Sequence, residues 1–387
     1  MREDMVKKIL KLLFDAPVSS KEFLVDREDE INSINLICSF QPFGVYGVCG
    51  ETGIGKTTVL NFIEAKEGKR IYLKLTEKES KEIIIGDMLY KLTSEIMGYN
   101  DRDLSKLAEK AKEFVIEERS ETDTMGVGGR VIIGGEYSKS ITHSRKFNVY
   151  LAYEFLNDIL ELLLRKYGRV ILLIDELDKE RKEDVLIILD SLKSVFNKDN
   201  LVVIISLPFA IYREYARDRL RWNESGNLEN ILKDVFFLEP MSDEQIQEMI
   251  LKRLKDYPDF FDGDALYEIA RYSDGNPRDA LWISQRIVLN NLDRHRITGD
   301  IAKETIKREI RKYFEDVWEL TDIQEKVLNV VARYGGSRSS LVKRLEENGI
   351  KRQTAYTYIN RLKENGLIIE RNGKLKVSGK IYYLIID

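Results

Sequence analysis

Gly50-Glu51-Thr52-Gly53-Ile54-Gly55-Lys56-Thr57 is the stretch whose reading decides the fold. Its spacing, G-x-x-x-x-G-K-[ST], is that of a phosphate-binding loop. Before it, Gly44-Val45-Tyr46-Gly47-Val48-Cys49 is a short apolar run of the kind a buried strand needs. After it, Thr57 to Ala65 reads as a helix that stops at Gly68. A chance glycine turn with a lysine would lack this strand–loop–helix frame. Gly50, Gly53 and Gly55 let the backbone bend so that its N–H groups face phosphate oxygens. The helix N-terminus adds partial positive charge. Lys56 is expected to reach the β- and γ-phosphates of a nucleotide, and the Thr57 hydroxyl to ligate Mg²⁺. Glu51, Thr52, Ile54 and Thr58 complete the segment expected to line the phosphates.

A second stretch complements the first. Val170-Ile171-Leu172-Leu173-Ile174 is an apolar run closed by Asp175-Glu176. A continuous apolar run suits a strand buried on both faces, and carboxylates at its C-terminal end sit where open parallel sheets bind ligands. Asp175 is expected to hold Mg²⁺ through water, and Glu176 to orient or deprotonate an attacking water. Arg70–Leu75, Leu201–Ser206 and Val235–Leu238 read as three more strands, with helices between them. Ser206 ends its strand placed to touch a γ-phosphate or the lytic water, or as a strand end and nothing more. Strands alternating with helices over 44–240 predict an α/β fold with a five-stranded parallel sheet.

The chain has 387 residues, enough for two or three domains. Charged residues make up 33% and hydrophobic ones 43%, which fits a folded chain rather than a disordered one. The formal net charge of −4 means that any basic surface must be local. Cys38 and Cys49 are the only cysteines, and His143 and His295 the only histidines, which excludes a Cys/His zinc site and a disulfide scaffold. No run of 18 apolar residues occurs, and Met1-Arg2-Glu3-Asp4 lacks a signal-peptide core, so no membrane partner and a cytoplasmic location are expected.

Residues 2–15 read as an amphipathic helix. The Gly-, Ser- and Thr-rich stretch 121–144 reads as a loop or β-hairpin inserted in the core domain. Between the last two strands, Tyr212 to Arg221 is a basic cluster, either a solvated helix face or the source of an arginine finger for a neighbouring copy. Residues 241–315 read as helical, with a capping box at Ser242 and Gln245. Gly275-Asn276-Pro277-Arg278 presents a sharp turn that puts Arg278 in a first helical turn, where a cation opposes the helix dipole and wants an anion partner.

Residues 320–387 carry 13 Lys and Arg against 7 Asp and Glu. Helices at 322–334, 340–348 and 351–363 and a hairpin around Asn372-Gly373 predict a winged helix. Its third helix has Ala355, Ile359 and Leu362 as a core face. It offers Lys351, Arg352, Gln353, Thr354, Tyr356, Asn360 and Arg361 for phosphate and base-edge contacts with double-stranded DNA. The expected domains are thus 1–240, 241–315 and 316–387.

Over residues 20–387 the chain resembles the AAA+ superfamily, and within it the archaeal initiator and origin-recognition ATPases and the archaeal STAND-type ATPases. Gly50 to Thr57 matches Walker A, and Leu173 to Glu176 matches Walker B. The resemblance implies that Val25 and the charged residues after it lie near the adenine, and that Ser206 is sensor 1. It also implies that Arg278 is sensor 2, contacting the γ-phosphate from a helical lid, and that the nucleotide is ATP or ADP. The Gly-rich stretch stands where initiators carry a helical DNA-contacting insertion. Three functions fit these features: a slow ATP-dependent DNA-binding switch, a STAND signalling or defence ATPase whose winged helix meets protein, and an ATPase that oligomerises along DNA using Arg217, Arg219 or Arg221.

Overall fold

The computed structural model describes residues 2–76, 80–126, 147–179, 181–220, 228–314, 320–371 and 373–385. They fall into two compact units, Met1–Asp26 with Glu239–Asp387, and Arg27–Leu238. Helix α1 (Arg2–Leu12) belongs to the first. This departs from the expected 1–240 domain. The reason is apolar: Val6 and Ile9 of α1, and Leu13 just after it, are buried in one cluster with Met241, Ile250 and Ile283.

The unit Arg27–Leu238 starts with α2 (Glu28–Phe40) and β1 (Gly44–Gly50), the latter buried throughout. Helix α3 (Lys56–Asn61) begins at the loop lysine and ends short of the expected Ala65. Asn35 takes over there: its Nδ2 donates to Phe62 O at 3.3 Å and its Oδ1 accepts from Glu64 N at 2.9 Å. The backbone is satisfied without another helical turn. Then follow β2 (Lys69–Lys74), α4 (Lys81–Ile96), α5 (Arg102–Gly126) and α6 (Val149–Tyr167). Most of the Gly-rich stretch 121–144 lies outside the described residues; its first part continues α5 as helix, not as a hairpin. Next come β3 (Val170–Asp175), α7 (Lys182–Phe196), β4 (Leu201–Pro208), α8 (Phe209–Leu220) and β5 (Leu232–Phe237). The basic cluster is on α8, and Arg221 lies outside the described residues.

The five strands form one parallel sheet in the order β2-β3-β4-β1-β5. The phosphate-loop strand and the Asp175 strand are not neighbours, because β4 runs between them. Register puts Val48 opposite Ser206, Ile174 opposite Ile205, and Lys74 opposite Asp175. Side chains alternate faces along a strand, so Tyr72, Lys74, Asp175 and Ser206 share one face at the C-terminal edge. The apolar runs 170–174 of β3 and 201–205 of β4 are buried on both faces, as their sequence requires.

The other unit continues with α9 (Asp243–Arg253), α10 (Gly263–Ser273), α11 (Pro277–Asn290) and α12 (Gly299–Phe314). The Ser242–Gln245 capping box is present in both directions, at 2.8 and 3.2 Å. Then α13 (Asp322–Tyr334), α14 (Arg338–Glu347) and α15 (Arg352–Glu364) precede an antiparallel pair, β6 (Ile368–Arg371) and β7 (Lys374–Val377). Val327, Leu341, Ala355, Ile359, Leu362 and Leu375 are their common core. Sequence reading missed the last helix, α16 (Gly379–Ile385). It seats these elements on α10: Asp274 Oδ2 accepts from Ser378 Oγ and Gly379 N, both at 2.8 Å, and the buried Tyr383 hydroxyl donates to Glu268.

Candidate functional site

The chemistry gathers where β1 hands over to α3. Gly53 and Gly55 have φ of +86° and +110°, conformations a side chain resists. Gly50 is needed for space: a Cβ there would lie 2.8 Å from Ile54 Cγ2 and 3.1 Å from Leu238 O. Beside the loop the buried Arg27 guanidinium donates from Nη2 to Ile54 O at 3.3 Å, with Glu30 3.7 Å from Nη1. Glu51 and Thr52 are exposed, Thr57 and Thr58 half-buried.

Lys56 is 5% exposed and fully engaged. Its Nζ donates to Gly50 O at 2.9 Å and Glu51 O at 2.7 Å, and lies 3.0 Å from Asp178 Oδ2. Asp178, two residues past Glu176, was not singled out from sequence. The signal was there as a third acid after an apolar run, but its contact depends on a backbone reversal. Glu176 has φ +77°, left-handed for a residue with a side chain, and a short 3₁₀ turn, Leu177–Lys179, follows it. That turn brings Asp178 back to the loop.

Asp175 is the hub. Its Oδ2 accepts from Thr57 Oγ1 at 2.8 Å and from the Tyr72 hydroxyl at 2.6 Å. Its Oδ1 accepts from Ser206 Oγ at 2.7 Å and Glu176 N at 2.8 Å. Burial pushes its pKa up, but the hydroxyls of Tyr72, Ser206 and Thr57 and the Glu176 N–H outweigh burial and hold it below the usual range. The Tyr72 hydroxyl moves the other way: burial, then its bond to Asp175, raise its pKa. Tyr72 was missed because only the β2–β3 pairing places it here. Ser206 is fully buried, and its Oγ also accepts from Glu176 N at 2.9 Å. The Glu176 carboxylate lies 3.6 Å from Lys74 Nζ.

Thr57 and Asp175 present one hydroxyl and one carboxylate oxygen in contact. Such a pair fits Mg²⁺, which uses one or two carboxylates and completes its shell with water and substrate phosphate. Among the described residues no group of three or more His, Cys, Asp or Glu could hold a metal unaided.

The remaining expected residues lie in the other unit. Val25 is buried in the apolar cluster around Met241 and Ile250. Arg278 sits in the first turn of α11, its Nε donating to Asp15 Oδ2 at 2.7 Å. On α15, Ala355, Ile359 and Leu362 are buried as expected. Lys351, Arg352, Gln353, Asn360 and Arg361 are exposed, whereas Thr354 and Tyr356 are half-buried, and Tyr356 packs on the core. Among the described residues no helix is long and apolar enough to cross a membrane.

Residues 24–281 match the family model of an ATPase domain found predominantly in Archaea. The chain belongs to this archaeal ATPase family. It is thus a P-loop ATPase, and the family implies nucleotide binding, typically with Mg²⁺. Among solved structures, the Walker-type ATPase of Pyrococcus abyssi is similar at 18% identity, covering 97% of this chain and 99% of that one, with a TM-score of 0.52. The RuvB Holliday junction branch migration motor of Thermotoga maritima aligns at 15% identity over 97% of this chain and 98% of its own, with a TM-score of 0.42. A STAND protein with a tetratricopeptide repeat sensor from Pyrococcus horikoshii aligns at 14% identity over 97% of this chain and 44% of its own, with a TM-score of 0.35. No curated protein matches. At 18% identity the Pyrococcus abyssi structure speaks to fold alone.

Proposed function

We propose that this ATPase is a slow, nucleotide-controlled switch that binds double-stranded DNA through residues 320–385, arranged as a winged helix. Lys56, the loop N–H groups and the α3 N-terminus bind the phosphates. Thr57 and Asp175 hold Mg²⁺, which when bound would offset phosphate charge. Glu176 orients and deprotonates the attacking water. Ser206 positions Asp175 and the Glu176 backbone rather than acting alone on a phosphate. Arg278 keeps its proposed role as γ-phosphate sensor, with Asp15 as the partner it would give up.

The observation that carries the DNA reading is the division of α15 into two faces. Ala355, Ile359 and Leu362 of α15 are buried, while Arg352, Gln353, Asn360 and Arg361 on it and Lys351 at its N-cap are exposed, and the helix follows α14 after a short turn. Such side chains neutralise phosphates and read base edges. A second reading, a STAND-type ATPase whose C-terminal elements meet protein, is favoured by the seating of α16 on α10.

The deciding experiment is DNA binding by the full chain with ATP, with ADP and without nucleotide, across a salt series. Salt-sensitive binding that depends on nucleotide and is weakened by Arg352→Ala supports the switch. No binding in any state moves the reading to the protein-contact ATPase.

A further inference from the structure

The three protons of the Lys56 ammonium face three acceptors: Gly50 O, Glu51 O and the Asp178 carboxylate. The side chains of Lys56 and Asp178 are only 5% and 10% exposed, so water and salt screen the pair little. A phosphate oxygen that takes a proton from Lys56 has to displace one of the three. The carbonyls are neutral and belong to the loop itself. Asp178 is the anion, so a phosphate both competes with it for the ammonium and is repelled by it.

Asp178 is also tied to the candidate base. It reaches Lys56 through the reversal at Glu176, whose φ of +77° is strained for a residue with a Cβ. The preceding residue, Asp175, is fixed by its hydroxyl and N–H donors. Any withdrawal of Asp178 therefore has to be taken up at Glu176 and the 3₁₀ turn after it.

We propose that Asp178 is an affinity-setting residue of the nucleotide site: a carboxylate latch on Lys56 that the polyphosphate of the nucleotide must displace. This rests on Gly50 to Thr57 being the phosphate-binding loop.

The test is equilibrium binding of fluorescently labelled Mg²⁺-ATP and Mg²⁺-ADP to the full chain, together with melting in the absence of nucleotide. Asp178→Asn should bind Mg²⁺-ATP about tenfold more tightly, the scale of one charge-assisted hydrogen bond. It should melt about 5 °C lower without nucleotide, since a buried ammonium has lost its counter-ion. Asp178→Ser removes the same charge and should show the same gain. Asp184→Asn, a nearby acid bonded to exposed Arg181, should leave affinity unchanged. Unchanged or weaker binding in both Asp178 variants, or an equal gain in Asp184→Asn, would overturn the latch. Wild-type affinity in Lys56→Ala would instead overturn the reading of the loop, a separate failure.

Discussion

The Lys74 ammonium stands 3.6 Å from the Glu176 carboxylate, at adjoining ends of β2 and β3. Lys74 is 58% exposed while Glu176 is 14% exposed, so water screens the lysine end of the pair more than the carboxylate. If Glu176 is the base, Glu176→Gln keeps the shape and loses the proton acceptor. ATP turnover should fall by about 10²- to 10⁴-fold with binding retained, as read by single-turnover hydrolysis beside equilibrium binding. Unchanged turnover would remove Glu176 from the chemistry. Lys74→Ala leaves the carboxylate in place and should alter the rate far less.

Asp274 predicts a pH dependence. Burial pushes its pKa up, against the partial relief of Lys376, Ser378 and the Gly379 N–H. The charge of Arg371 adds a smaller relief. Its unfolded value is about 4. Between that and the raised folded value the native state binds more protons than the unfolded chain, so stability falls as pH rises through this window. Asp274→Asn keeps an oxygen for Ser378 and Gly379 and removes the charge. Chemical denaturation at several pH values should show a flatter profile above pH 4 for the variant. An unchanged profile would mean that Asp274 does not titrate in this window.

Gly379 predicts a steric failure. A Cβ there would lie 1.8 Å from Arg271 O and 2.7 Å from its carbonyl carbon, and both obstacles are backbone. Gly379→Ala must push α16 off α10 or strain both, at about 1–3 kcal/mol or more. A lowered melting temperature is expected, with phosphate-loop binding intact because that loop lies in the other unit. Gly349→Ala is a control: it has open space but φ +82°, so its strain alone should cost about 1 kcal/mol.

Local pattern carried the phosphate loop, the Asp175 strand and the α15 core face, because each is set by neighbours a few residues apart. Tyr72 and Asp178 needed long-range facts instead. Tyr72 reaches Asp175 only because β2 pairs with β3, and Asp178 reaches Lys56 only through the left-handed Glu176. Apolar periodicity found α1 but could not name its partner, which comes from residues 241–310, more than two hundred positions away. Helix α3 looked longer because the 3.6-residue pattern continues past Asn61, while Asn35 supplies the bonds another turn would have made.

Ser206 separates a sensor from a scaffold. Its Oγ donates to Asp175 Oδ1 and accepts from Glu176 N, so its single donor is committed inside the site. Ser206→Ala would remove a donor to a buried carboxylate, a loss of about 1–3 kcal/mol. If Ser206 acts by fixing Asp175, the variant should lose affinity for Mg²⁺-ATP and Mg²⁺-ADP alike, and turnover should fall as Glu176 loosens. If it met the γ-phosphate directly, ATP affinity alone would drop. Paired binding curves for the two nucleotides decide between these, and an ATP-only loss would return Ser206 to the sensor role its position in β4 first suggests.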